Sequence, residues 1–158
     1  MNLQQFLELF QPNPAESYMV VTTTPDCLVD SLSKKTEVVE GEFEVVLYGE
    51  TKNSVHKTQH VEKLNKPFKS KPRSFDKVIF YNIFTKHQNI AMLLQLAYRS
   101  LANAAEVIVV EPKNTLNKEK MLTLLEQNEY RASNHIGDIL KGYDIFTARK
   151  MHMWGNGL

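Results

Sequence analysis

The sequence has little of what disulfide-bonded, secreted and membrane-spanning proteins require. Its 158 residues include one cysteine, Cys27, so an internal disulfide is excluded. Few cysteines favour a reducing compartment, and we expect a cytoplasmic protein. No stretch approaches the ~18 consecutive apolar residues of a membrane-spanning helix. Residues 1–6 lack a basic start and an apolar segment, so they do not predict a signal peptide.

Several catalytic and metal-binding motifs are also absent. We find no phosphate-binding glycine loop, no Gly-x-Ser-x-Gly nucleophile turn and no His-Glu-x-x-His helix. His56 and His60 are four residues apart, but a metal site needs three or four ligands and no third is evident. Cys27 falls in the first turn of a predicted helix, where a thiolate is favoured. Without a histidine partner, it is better interpreted as a buried structural residue, and the sequence predicts no metal.

Charge is distributed unevenly along the chain, although the net charge is +1. Residues 1–50 contain 2 basic and 9 acidic side chains, whereas residues 51–86 contain 9 basic and 2 acidic ones. One interpretation is that the two blocks are solvated or complement each other. The other is that the segment Lys52–Lys77, which includes Phe68 and Phe75, binds nucleic acid through charge and aromatic stacking. It contains no recognised nucleic-acid-binding module.

The central stretch of the chain predicts a strand, a helix and a second strand. The predicted strands Asp76–Phe84 and Ala105–Pro112 contain the apolar runs Val78–Phe84 and Val107–Val110, which are typical of strands covered by helices on both faces. Between them, apolar residues recur with helical spacing over Thr85–Asn103. Thr85 followed by Gln88 matches a capping box, so we expect the helix to begin at Thr85. Such a unit belongs to a parallel sheet with a right-handed crossover.

Patterns on either side predict the remaining elements of a single α/β domain over residues 1–158. Residues 51–74 form a long polar connection, and the tail Met151–Leu158 predicts no element. The expected outer elements are a helix at Asn2–Phe10, a strand at Tyr18–Thr24, a helix from Thr24 through Lys35, a strand at Phe43–Glu50, an edge strand within His60–Leu64, a helix from Asn117 to Asn128, and closing strands at Tyr130–Ile136 and Tyr143–Lys150.

From about residue 60 to residue 150 the sequence resembles the class I S-adenosylmethionine-dependent methyltransferases. The resemblance is carried by Leu64-Asn-Lys-Pro-Phe68 and Ser74-Phe-Asp-Lys-Val78 before a strand, Val107-Ile-Val-Val-Glu111 after a helix, and the closing strand Phe146-Thr-Ala-Arg-Lys150. It implies a doubly wound, mostly parallel Rossmann-like sheet with an antiparallel C-terminal strand.

The first half of the sequence departs from this family. There, a glycine-rich turn after the first strand lets the backbone approach the amino acid part of the cofactor. The corresponding turn here, Thr22-Thr-Thr-Pro-Asp26, has no glycine, and Pro25 lacks an N–H donor. The sequence therefore predicts a non-catalytic relative with a binding or interaction role and no bound cofactor. The alternative is an active methyltransferase of unknown substrate that binds S-adenosylmethionine.

The resemblance also implies which residues would form a cofactor site. Thr23 and Thr24 occupy the position of the glycine turn. Glu50 follows the second strand, where the family places an acidic residue on the ribose hydroxyls; plain solvation is the alternative. Asn82 matches a catalytic Asn or Asp of amino-methylating members, but Ile and Phe follow it where they have Pro-Pro-aromatic, so a buried polar role is equally open. Partners are not predicted, and a homodimer is only a general expectation.

Overall fold

The computed structural model describes residues 14–24, 27–49, 57–137 and 139–150, with the side chains of Cys27, Lys57 and Thr58 left out. The predicted helix at Asn2–Phe10, Glu50, His56 and the tail Met151–Leu158 lie outside the described residues. The described residues form seven strands and three helices: β1 (Ser17–Thr22), α1 (Cys27–Val38), β2 (Glu42–Tyr48), β3 (Lys57–Val61), β4 (Phe75–Tyr81), α2 (Ile90–Ser100), β5 (Leu101–Pro112), α3 (Lys118–Gln127), β6 (Tyr130–Ile136) and β7 (Tyr143–Lys150).

The strands form one sheet in the order β3-β2-β1-β4-β5-β7-β6. Neighbours from β3 to β5 are parallel, and β7 runs antiparallel to both β5 and β6. The prediction of a doubly wound, mostly parallel sheet with an antiparallel C-terminal strand is confirmed. Because β1 lies beside both β2 and β4, the direction in which the sheet grows reverses between β1 and β4.

Apolar side chains on the two faces of the sheet form two separate core layers. Val20 and Ile79 on one face pack with Leu32 of α1, and all three are fully buried. Phe80 and Val109 are among the side chains of the other face, in a cluster with residues of α2 and α3. Burial of each such side chain is worth about 1.5–3 kcal/mol before the entropic cost of ordering it. This two-sided burial explains the continuous apolar runs in the sequence.

The helix predicted from Thr85 begins five residues later, at Ile90. Asn89 caps it, because its side-chain oxygen accepts a hydrogen bond from the backbone N–H of Met92 at 3.1 Å. The capping-box prediction at Thr85 and Gln88 is wrong, and the N–H of Gln88 instead donates to the carbonyl of Leu64 at 3.0 Å. Residues 82–88 are therefore available to build the edge of the sheet.

Other boundaries differ by a few residues from those predicted. Strand β5 begins at Leu101 instead of Ala105, since Leu101 pairs with Phe75 before a register shift. Helix α1 continues to Val38 instead of ending at Lys35. The expected edge strand is present as β3, but it covers Lys57–Val61 and overlaps the predicted His60–Leu64 only at its last two residues.

Candidate functional site

The ends of β1 and β4 meet at the point where the strand order reverses. In open α/β sheets, ligands bind outside the carboxyl ends of the strands at such a point. Thr23 and Thr24 directly follow β1, and Asn82 directly follows β4. The fold therefore brings three of the four predicted site residues to one edge of the sheet, while the fourth, Glu50, lies outside the described residues.

Hydroxyl groups close the gap between the two loops. The side-chain oxygen of buried Thr22 accepts a hydrogen bond from the N–H of Thr24 at 2.9 Å, which tightens the turn. The Thr23 hydroxyl donates to the main-chain carbonyl of Asn82 at 2.7 Å. The ammonium group of Lys86 donates to the same Thr23 oxygen at 3.1 Å. Thr23 thus links the loop after β1 to the loop after β4.

Asn82 adopts a backbone conformation that few non-glycine residues adopt. Its φ is 52°, in the left-handed region that asparagine tolerates better than most side chains. Its N–H donates to the carbonyl of Val110 at 3.1 Å, which extends the β4–β5 pairing by one residue. Its Oδ1 is buried and has no hydrogen-bond partner among the described residues. Buried polar atoms are nearly always paired, so this acceptor is a notable feature of the edge.

Glu111, at the end of β5, holds the loop after β4 in place. Its side chain is fully buried, and its Oε2 accepts hydrogen bonds from the N–H groups of Ile83 at 2.9 Å and Phe84 at 3.2 Å. Burial raises the pKa of Glu111, although these N–H donors and the charge of Lys86 oppose that rise. The sequence indicated an acidic residue at this strand end, but nothing in it predicted these main-chain partners.

The polar groups continue along the edge to β7 and β6. Nε2 of His135 lies 2.8 Å from Oδ1 of Asp144, and Oδ2 of Asp144 accepts from the N–H of Asn114 at 3.1 Å. Burial alone would raise the pKa of Asp144, but its bonds to His135 and Asn114 outweigh burial and lower it. The carboxyl ends of the central strands thus form one row of polar side chains, which local sequence patterns did not reveal.

The turn after β1 differs from the family's glycine turn, which leaves the backbone open to the amino acid part of S-adenosylmethionine. Thr23 and Thr24 stand at that position, and the hydroxyl of Thr23 bonds across to the carbonyl of Asn82, so the described residues do not reproduce the open backbone. At the end of β2, Gly49 has a φ of 97° and its carbonyl lies 2.7 Å from Nε2 of His60. The role of Glu50 at the ribose of a cofactor stays a prediction, because Glu50 lies outside the described residues.

The aromatic part of the nucleic-acid hypothesis for Lys52–Lys77 is wrong. Phe68 and Phe75 are 3% and 4% exposed and belong to the core, so neither ring can stack on a base. Of the lysines in this segment, Lys63, Lys66, Lys69 and Lys71 are exposed, and Lys77 is half-buried. Within the described ranges, no three His, Cys, Asp or Glu side chains are grouped to hold a metal, and no helix is long and apolar enough to cross a membrane.

No protein-family model and no curated protein sequence matches this chain. Solved structures do match it. A methyltransferase dependent on S-adenosylmethionine from Aquifex aeolicus superposes with a TM-score of 0.76 at 13% identity, over 95% of this chain and 90% of that one. An S-adenosylmethionine-dependent methyltransferase from Mesorhizobium loti gives 0.69 at 9% identity, over 94% and 98%.

A longer enzyme matches over part of its length. Phosphoethanolamine N-methyltransferase 2 from Haemonchus contortus, in complex with S-adenosyl-L-methionine, gives a TM-score of 0.68 at 10% identity. The match covers 94% of this chain and 52% of that enzyme, so this chain spans about half of its length. Identities this low establish a fold and not an activity. The chain has the Rossmann-like fold of the class I S-adenosylmethionine-dependent methyltransferases.

Proposed function

We propose that this chain is a methyltransferase-like domain that acts by binding a partner and does not transfer methyl groups. The observation that carries the proposal is the 2.7 Å hydrogen bond from the Thr23 hydroxyl to the Asn82 carbonyl. It crosses the point of the sheet where a ligand of such a fold would lie. The side chain of Thr23 thus joins the loop after β1 to the loop after β4.

A second hydrogen bond at this edge also disfavours the cofactor. The ammonium group of Lys86 donates to the Thr23 hydroxyl oxygen at 3.1 Å. A ligand entering here would have to break both bonds of Thr23, each worth about 1 kcal/mol.

Calorimetric titration with S-adenosylhomocysteine and with S-adenosylmethionine tests the proposal. We expect no binding heat at millimolar ligand for the folded protein. A Thr23→Gly, Thr24→Gly variant, checked for folding by circular dichroism, tests whether the threonine side chains exclude the ligand. Micromolar binding by the natural sequence that Glu50→Ala weakens would overturn the proposal.

The second candidate is an active methyltransferase, and the buried acceptor of Asn82 favours it. A ligand amino group could satisfy Oδ1 of Asn82, which has no partner among the described residues. Asn82→Gly removes that acceptor and keeps the left-handed backbone without strain. If S-adenosylhomocysteine binds and Asn82→Gly abolishes the binding, the edge is a cofactor site. Binding that is unchanged in Asn82→Gly would exclude this role for Asn82.

A further inference from the structure

Strand β3 forms one edge of the sheet. The carbonyl of Val61 accepts a hydrogen bond from the N–H of Gly49, so the main chain of Val61 faces inward. In a parallel ladder, alternate residues direct their N–H and C=O groups to opposite sides. The main-chain groups of Thr58 and His60 therefore face away from β2. Within the described ranges, no strand pairs with β3 on that side.

A basic concavity of about 660 Å³ adjoins this edge. Its lining includes Lys63, Lys66 and Lys69, which we call the lysine rim, and a single acidic residue, Glu62. All three lysines are exposed and form no ion pair with a described residue. By contrast, the nearby Lys71 pairs with Glu44 at 3.2 Å. The rim thus presents positive charge that the described part of the chain leaves uncompensated.

The backbone of the lysine rim is fixed by buried groups. The carbonyl of Lys66 accepts hydrogen bonds from the Tyr48 hydroxyl at 2.6 Å and from Nε2 of His87 at 3.3 Å. The ring of Phe68 is buried in the core. Both the N–H and the carbonyl of Lys69 bond to the side chain of Gln59 on β3. A partner would therefore meet a preformed surface, with little entropic cost for ordering this backbone.

We propose that β3 and the lysine rim bind an extended acidic segment of a partner protein, which adds to the sheet as a further strand beside β3. Main-chain pairing would supply affinity, and carboxylates opposite the lysine rim would supply selectivity and a fast association rate. A single-stranded nucleic acid fits less well, because Phe68 and Phe75 are buried and an open strand edge pairs with peptide main chain. This inference names the partner for the binding role proposed above and rests on that role.

Fluorescence anisotropy with a labelled peptide of alternating Glu and Val, about ten residues long, tests the inference. We expect binding that weakens as salt rises, and no binding of the matching Lys and Val peptide. Two further acidic peptides test the main-chain pairing: one is N-methylated at every Glu and the other at every Val. Since only alternate N–H groups of an added strand face β3, one of these two peptides cannot donate hydrogen bonds to the β3 edge. One of the two must lose binding; if both bind like the parent, strand addition is wrong.

Matched protein variants locate the site. Lys63→Glu, Lys66→Glu, Lys69→Glu should weaken peptide binding about tenfold or more. The control carries the same three changes at the exposed residues Lys118, Lys120 and Lys141 and should bind normally. Equal losses in both variants, or an oligothymidylate that binds the lysine rim more tightly than the peptide, would overturn the inference. Cofactor titration is read separately. Cofactor binding with intact peptide binding defeats the non-catalytic part of the proposed function and leaves its binding role, whereas peptide failure without cofactor binding defeats only this inference.

Discussion

The two halves of the sheet hold their carboxyl edges by different means. In the half formed by β4, β5, β7 and β6, the loops are bonded by the buried carboxyl groups of Glu111 and Asp144, and Asp144 also pairs with half-buried His135. In the half formed by β1, β2 and β3, the hydroxyls of Thr22 and Thr23 do so. Helical crossovers occur in both halves, with α1 between β1 and β2, α2 between β4 and β5, and α3 between β5 and β6, whereas residues 62–74 pass from one half to the other, from β3 to β4, without a helix.

This difference shows that the sheet forms without a glycine-rich turn after β1. The sequence resemblance to methyltransferases is concentrated in the β4 to β7 half, where side chains such as Phe80 and Val109 build the larger core cluster. The β1 to β3 half has no glycine in its first turn, yet β1 pairs in register with both β2 and β4. Strand pairing and core burial are sufficient to keep the sheet.

The largest effect should come from removing the carboxylate of Glu111. Glu111→Ala leaves the N–H groups of Ile83 and Phe84 buried without an acceptor, and each such group costs about 1–3 kcal/mol. We expect the free energy of unfolding, measured by urea titration, to fall by about 3 kcal/mol.

Two control variants make this result specific. Glu111→Gln keeps a side-chain oxygen as acceptor and should lose less stability than Glu111→Ala. Glu62→Ala removes an exposed carboxylate from the other half and should change the free energy of unfolding by less than about 0.5 kcal/mol. Equal effects of Glu111→Ala and Glu62→Ala would contradict the contrast between the halves.

A smaller effect is expected from His87, which joins the two halves. Its Nδ1 accepts from the N–H of Asn89 at 2.9 Å and its ring packs edge-on against Tyr48 at 5.3 Å. Burial lowers the pKa of His87 below its ordinary value of 6.5. The unfolded chain therefore takes up the proton first as pH falls, so this contribution to stability is complete above pH 6.5 and is lost as pH falls through the lowered pKa.

Unfolding midpoints measured at a series of pH values test this prediction. In His87→Gln the part of the acid-induced loss that belongs to His87 should disappear. The exposed His60 provides the matched control, and His60→Gln should retain that loss. If His87→Gln and the natural protein lose stability in parallel across this range, His87 is not the group responsible.

The smallest effect should come from Thr23, in the β1 to β3 half. Thr23→Val keeps the shape of the side chain but removes the hydrogen bond to Asn82. Because Thr23 is only half-buried, we expect the free energy of unfolding to fall by about 0.5–1 kcal/mol. Urea titration beside Glu111→Ala measures the contrast directly, and a loss for Thr23→Val as large as that for Glu111→Ala would show that both halves depend equally on their edge.

Most strands could be predicted because their signals are local and strong. The apolar runs at Val78 and Val107 and the closing strands at Tyr130–Ile136 and Tyr143–Lys150 appear where the sequence indicated them. The start of α2 could not be predicted, since Thr85 and Gln88 satisfy a local capping pattern while their actual partners are Glu111 and Leu64. Bonds between residues distant in sequence decided that boundary.

The sequence predicted which edge of the sheet carries the candidate residues, but not the hydrogen bonds between them. The strand ends placed Thr23, Thr24 and Asn82 at one edge because parallel strands end on the same side. The bond that joins Thr23 to Asn82 spans 59 residues of sequence, and no periodicity encodes it. The buried contacts of Glu111 were missed for the same reason.

The hydrogen bonds of His87 also fix where its ring proton lies. Because Nδ1 accepts from Asn89 and Nε2 faces the carbonyl of Lys66, the neutral ring has its proton on Nε2. Because His87 is 7% exposed, that proton should exchange with solvent slowly enough for its nuclear magnetic resonance signal to be observed directly. The signal would be a built-in spectroscopic reporter of whether the segment around Lys66 stays docked against the sheet.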